Sequence, residues 1–158
     1  MKLSARNQFA GTVAKVTDGA VNGIVTIEVN GTPVSATISM AAIRELGLEP
    51  GKKAWAVIKA TEVMIGLGDH LPLSARNQLP GKVLSVEKGA VNSIVRMEVL
   101  GGNTLSATIS NLAVEELGLA PGTAALAVVK ATSVMTRTVT VRFMMHSFVW
   151  HKISTQDI

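Results

Sequence analysis

The chain of 158 residues has no cysteine and no tyrosine, and aromatic residues make up only 3% of it. Lack of cysteine excludes disulfides, thiolate metal sites and a cysteine nucleophile, and it fits a reducing compartment. With so few aromatics, a core must be assembled from Val, Ile, Leu, Ala and Met. Such a core suits short strands better than a large aromatic-centred pocket. No run of 18 apolar residues is long enough to span a bilayer. The opening "MKLSARNQ" turns polar after one lysine instead of entering the apolar stretch of a signal peptide. A cytoplasmic protein with no membrane partner is expected. Asn30-Gly31-Thr32 matches a glycosylation sequon but reads as a hairpin turn in that setting.

The signatures of catalysis are also missing. There is no P-loop, no GxGxxG ahead of a helix, no HExxH and no GxSxG. The three histidines are His70, His146 and His151. None falls in a repeated position, which removes the commonest general base. His146 and His151 alone make a weak metal pair, so no metal site is expected. Glu28, Glu98, Glu45 and Glu116 read as solvated charges on strands and helices. The expectation is a non-enzyme with no organic cofactor.

Net charge is +4, yet it forms no stripe. Residues 1–66 carry seven Lys/Arg and five acids, residues 73–136 carry five and four, and the last 22 residues add +2. Nucleic-acid binding by a small barrel needs a basic groove with aromatic stacking platforms. Before residue 137 the aromatics are Phe9 and Trp55, and the second half places Leu79 and Leu126 there. No nucleic-acid partner is expected.

What is present is a repeat. "LSARNQ" occurs at Leu3–Gln8 and again at Leu73–Gln78, an offset of 70 residues. "GAVN", "SATIS", "ELGL" and "KAT" follow in the same order in both copies, with one extra residue in a turn of the second ("GGN" against "G"). The division is 1–66 for the first domain, 67–71 for a Gly/Pro-containing linker and 72–136 for the second domain. Residues 137–158 form a non-repeat extension. A domain of this size is marginal alone, which favours duplication and oligomerisation.

Within each copy, residues 11–17 and 22–29 alternate apolar and polar, as half-buried strands do. Asp18-Gly19 and Asn30-Gly31 fall at turns, where Gly and Asn tolerate positive φ. "PVSATIS" reads as a third strand. Ser39 resembles the N-cap of a short helix ending at Gly47. "KKAWAVIKATEVM" reads as one final strand. The fold class is mainly β: two tandem OB-type small β-barrels, each with one short helix.

Three repeated segments carry polar chemistry: Ser4, Arg6 and Asn7; Ser35, Thr37 and Ser39; Lys59 and Thr61. Their counterparts are Ser74, Arg76 and Asn77; Ser106, Thr108 and Ser110; Lys130 and Thr132. They supply cations and neutral donors but no carboxylate. If they converge, they suit a small oxyanion, and a donor-rich lining favours a fully deprotonated dianion. The "GAVN" turns, Gly19, Ala20, Val21, Asn22 and Gly89, Ala90, Val91, Asn92, read as tight turns needing glycine. Their successive N–H groups could also form an anion-binding nest.

"SARNQ", "GAVN", "SATIS", "ELGL.PG" and "VKAT.VM", in order and twice, resemble the Mop domain of molbindins, in its tandem (di-Mop) form. The resemblance covers residues 2–66 and 72–136. It implies OB-type domains assembled in sixes, hence a homotrimer here, with molybdate or tungstate bound at domain and subunit interfaces. Carried over by position, the ligand residues are Ser4, Arg6, Ser39 and Lys59 with Ser74, Arg76, Ser110 and Lys130. Asn7 and Asn77 would orient the loop or donate directly. Ala5, Ala60, Ala75 and Ala131 would offer backbone N–H groups. A second kind of anion site would involve the "GAVN" region. The implied role is intracellular molybdenum storage or homeostasis. The alternative is a molybdate-sensing accessory domain that regulates a separate partner.

Overall fold

The computed structural model describes residues 2–139. The two expected histidines, His146 and His151, and most of the extension lie outside the described residues. The first half runs β1 (Asn7–Thr17), β2 (Asn22–Val29), β3 (Thr32–Ser39), α1 (Met40–Leu46), β4 (Lys53–Ile58), a 3-10 turn (Ala60–Glu62) and β5 (Met64–Gly66). The second half repeats this as β6 (Asn77–Lys88), β7 (Asn92–Val99), β8 (Asn103–Ser110), α2 (Asn111–Leu117), β9 (Ala124–Val129), a 3-10 turn (Ala131–Ser133) and β10 (Val134–Arg137). The mainly β expectation, with one short helix per repeat, holds.

The alternation seen in the sequence sets the register. On β2 the inward positions Gly23, Val25, Ile27 and Val29 are buried while their neighbours are half-buried or exposed. Val25 and Ile27 are sealed from solvent, each contributing about 1.5–3 kcal/mol of apolar burial. β1 pairs antiparallel with β2, with a register shift between Val13 and Lys15 that bends the strand. Pro33 can sit in β3 because β3 is an edge strand and a missing N–H costs nothing on its open side.

Each helix starts and stops as its sequence demands. The Ser39 hydroxyl accepts from the Ala42 N–H at 3.1 Å, and the Ser110 hydroxyl does the same for Ala113. Gly47 and Gly118 close the helices at φ 61° and 63°, the left-handed region that favours glycine. Leu48 then donates to the Ile43 carbonyl at 3.0 Å.

Two expectations are corrected. "KKAWAVIKATEVM" is not one strand: it breaks after Ile58 into the 3-10 turn, and the chain leaves in a new direction as β5. Gly19 does not take positive φ. Glycine is needed there, and at Gly89, because a Cβ would collide with the carbonyl oxygen of Asn22 or Asn92. Of these two turns it is the Asn30-Gly31 turn that takes positive φ, at Asn30 (48°) and Gly31 (83°).

The redirected chain has a large consequence. The sheets are ordered β10-β4-β1-β2-β3 and β5-β9-β6-β7-β8, so each takes its fifth strand from the other half of the sequence. β10 pairs with β4 from Val134↔Ile58 to Arg137↔Trp55, and β5 pairs with β9 from Met64↔Val128 to Gly66↔Leu126. The 3-10 turns follow their strands across, the first packing on β8 and the second on β3. Val63 and Val134 are both buried in a core cluster containing residues of both halves.

Candidate functional site

The loop Leu3–Arg6 precedes β1, and the Gln8 amide holds it back by donating to the Ala5 carbonyl at 3.2 Å. Lys59 enters the 3-10 turn in extended conformation, φ −68° and ψ 139°, which throws Ala60 and Thr61 toward that loop. A cavity of about 390 Å3 results, lined by Leu3, Ser4, Ala5, Arg6, Lys59, Ala60, Thr61 and Met135. Two of the three polar segments therefore converge from within one repeat. Met135 comes from the exchanged strand β10 of the other.

No carboxylate lines this cavity. Among the described residues the ion pairs are Lys88–Glu115 at 3.8 Å and Arg96–Glu87 at 3.2 Å, both exposed, and neither involves Arg6, Lys59, Arg76 or Lys130. Arg6, Lys59 and Ser4 are exposed, so their donors are available to a ligand. Ser74, Ala75 and Arg76 occupy the matching loop before β6, and Lys130 and Ala131 enter the second 3-10 turn in the same way, φ −67° and ψ 141°.

The third segment arrives from the other half, through the asparagines. Asn7 is buried, and its amide grips the backbone of Ser106, donating to the carbonyl at 2.9 Å and accepting from the N–H at 2.8 Å. Asn77 grips Ser35 identically, at 2.8 Å for both bonds. These residues belong to β1 and β6, not to the loop. Their amides are spent on β8 and β3 of the opposite half instead of being presented to solvent, which anchors the strand starts that follow Arg6 and Arg76. Ser39 and Ser110 lie four residues beyond the gripped serines, roughly 13 Å along the strand at ~3.3 Å per residue. Within one chain they cap helices and do not line the cavity. Each hydroxyl accepts one bond there and keeps its proton to donate.

The "GAVN" turns are engaged with the helices. Met40 donates to the Val21 carbonyl at 2.8 Å and Asn111 to the Val91 carbonyl at 2.9 Å. The Gly89 N–H is taken by the Asn92 carbonyl. These turns expose large apolar side chains, Val21 being 74% and Val91 73% accessible.

Sequence reasoning missed the apolar walls of the cavity, Leu3 and Met135. The repeated "L" of "LSARNQ" and "M" of "KATEVM" and "KATSVM" were the available signal. Thr61, recognised as a donor but not carried into the ligand set, does line the cavity. Among the described residues no three His, Asp or Glu gather to hold a metal ion, and no helix is long and apolar enough to cross a membrane.

Comparison with known proteins agrees with the repeat. The TOBE domain model matches residues 3–65 and again 73–136. The molybdenum transport protein ModE of Herbaspirillum seropedicae is 42% identical over 138 residues, covering 85% of this chain and 51% of that protein. The molybdenum-pterin-binding protein MopA of Rhodobacter capsulatus is 37% identical over 137 residues, covering 85% and 52%. The chain thus spans about half the length of these relatives. A crystal structure of the cytoplasmic molybdate-binding protein ModG with molybdate bound superposes with a TM-score of 0.85 at 41% identity, covering 88% of this chain and all of that one.

Proposed function

Since the chain belongs to the TOBE-domain family in both its halves, as a tandem Mop-type protein, we propose that it binds molybdate, and tungstate in its place, without catalysing a reaction. The observation that carries this is the meeting of Ser4, Ala5 and Arg6 with Lys59, Ala60 and Thr61 around one cavity that no carboxylate lines. Arg6 supplies a planar fork, Lys59 a point charge, and the hydroxyls and backbone N–H groups of the turn short neutral donors. Desolvating a dianion demands many such donors, and one chain leaves the cavity open on one side. Leu3 at 47% and Met135 at 42% exposure form an apolar rim there that a second copy would cover. Complete sites thus form at interfaces, where Ser39 or Ser110 of a neighbouring copy can add its free hydroxyl proton. A trimer would present six copies of the cradle, and ligand would stabilise it by linkage. Storage or buffering of molybdenum in the cytoplasm is the role such an assembly fits.

Calorimetry against molybdate, tungstate, sulfate and phosphate tests the reading. Arg6→Ala and Lys59→Ala each remove a charge-assisted contact and should weaken molybdate binding roughly 10- to 100-fold without unfolding the chain. No molybdate binding at micromolar ligand overturns the function, and unchanged affinity in both variants overturns the site. A second reading, a sensing module acting on a partner, is favoured by the ModE relative, about half of whose length this chain spans. Capture of a partner that depends on molybdate would support it.

A further inference from the structure

The two repeats differ at one position beside the cradle. After "KAT" the first repeat has Glu62 and the second has Ser133. In a 3-10 turn, residues three apart stand on the same side, so Glu62 shares a side with Lys59, to whose carbonyl its N–H bonds at 3.0 Å. The Ser133 hydroxyl donates to Glu62 Oε2 at 3.0 Å, so the two residues of this repeat position meet between the halves. Around this contact lies a hollow of about 200 Å3 lined by Lys59, Glu62, Thr132, Ser133 and Met135. Lys59 and Met135 also line the larger cavity, so Lys59 stands between Glu62 and the place proposed for the anion. Lys130 does not line that hollow.

We propose that Glu62 makes the two halves' oxyanion sites unequal, its carboxylate lowering the affinity of the Lys59 site for a tetrahedral dianion below that of the Lys130 site. The inference rests on the oxyanion-binding reading above. A carboxylate near the Lys59 ammonium competes with the ligand for its charge and repels a dianion directly. Both side chains are exposed, so solvent and salt reduce the effect to roughly three- to tenfold in affinity. The Ser133 hydroxyl moderates it further by engaging one carboxylate oxygen at 3.0 Å. Identical cradle sequences thus give a stronger and a weaker class of site in one chain, which widens the concentration range over which the protein fills.

The test is molybdate titration of the full chain by calorimetry, in the wild type and in the E62Q, E62S and S133A variants. Wild type should show two classes of site. E62Q and E62S should tighten the weaker class three- to tenfold and bring the two together. S133A, which frees the carboxylate to approach Lys59, should weaken it further. In a K59A background, E62Q should have a smaller effect, because the ammonium for which the carboxylate competes is gone. Binding by the wild type with affinities unchanged in E62Q overturns the inference alone, as does an E62Q effect undiminished by K59A. Failure of the wild type to bind molybdate overturns the functional reading and the inference with it.

Discussion

The two halves of the chain carry the same cradle segments on cores that have drifted. In the first half Gly23 leaves room that the Ile43 and Met40 side chains fill. In the second the equivalent residues are Ser93 and Asn111, and the buried Ser93 hydroxyl donates to Asn111 Oδ1 at 2.6 Å. An apolar contact has been exchanged for a hydrogen bond, and both partners changed together. Gln8 steadies its own loop, while Gln78 clamps the linker, bonding both the N–H and the carbonyl of Leu71. Trp55 faces Arg137 where Leu126 faces Gly66. By contrast, the asparagine grips and the Ser–Ala–Arg and Lys–Ala–Thr segments are unchanged. Drift was tolerated where a neighbouring residue could compensate, and not where residues converge on the cavity.

The strand exchange makes the halves dependent on each other, and separating them is the most damaging way to test the comparison. A fragment of residues 1–66 has β4 with no β10 beside it, and its own β5 has no β9 to pair with. It should be unfolded, or form a dimer that restores the exchange between two copies. Size-exclusion chromatography with circular dichroism decides between these outcomes. A folded monomer would mean that β5 closes back on its own β4, and that the exchange is a convenience of tandem linkage.

Next in size is the loss of an asparagine grip. Asn7→Ala leaves the Ser106 N–H and carbonyl without partners in a partly buried place, and Asn77→Ala does the same to Ser35. Each should cost about 3 kcal/mol, being two unsatisfied groups, read as a lower urea midpoint. Near-equal costs would sustain the symmetry of the halves. A clear difference would show that one junction dominates.

Much of this was legible in the sequence. The repeat, the short helices with serine caps and glycine stops, and the polar segments that meet at the cavity were all readable from spacing and residue type. The exchange was not, because "KATEVM" is as compatible with a continuing strand as with a turn. Only the pairing partner of β5, fixed by tertiary packing around Val63 and Val134, decides which. The grip of the asparagines on the opposite half was hidden for a related reason. A polar residue after an arginine in a loop-like segment looks available to a ligand, and nothing local reveals a partner 99 residues away.

The compensated pair offers a smaller perturbation. Gly23→Ser would push a side chain against Ile43 and Met40 and should cost about 2 kcal/mol by overpacking. Adding Met40→Asn should recover part of that loss by recreating the bond between Ser93 and Asn111. Thermal unfolding of the single and double variants measures the coupling. Additive losses would show that the second half's solution depends on more of its surroundings than this pair.

The smallest expected effect concerns an aromatic contact that joins the halves. The Arg137 guanidinium lies 4.4 Å from the centroid of the Trp55 ring, on neighbouring strands. At a partly exposed site this attraction contributes about 0.5–1 kcal/mol. Arg137 Nε is buried with no hydrogen-bond partner among the described residues, which offsets some of that gain. Arg137→Leu keeps apolar cover over the ring and removes the unpaired donor. It should therefore change stability by less than about 1 kcal/mol, and less than Arg137→Ala, which also uncovers the ring. If Arg137→Leu instead cost as much as an asparagine grip, the cation would be holding β10 to β4. The first half's fifth strand would then be secured by charge where the second half's is secured by packing alone.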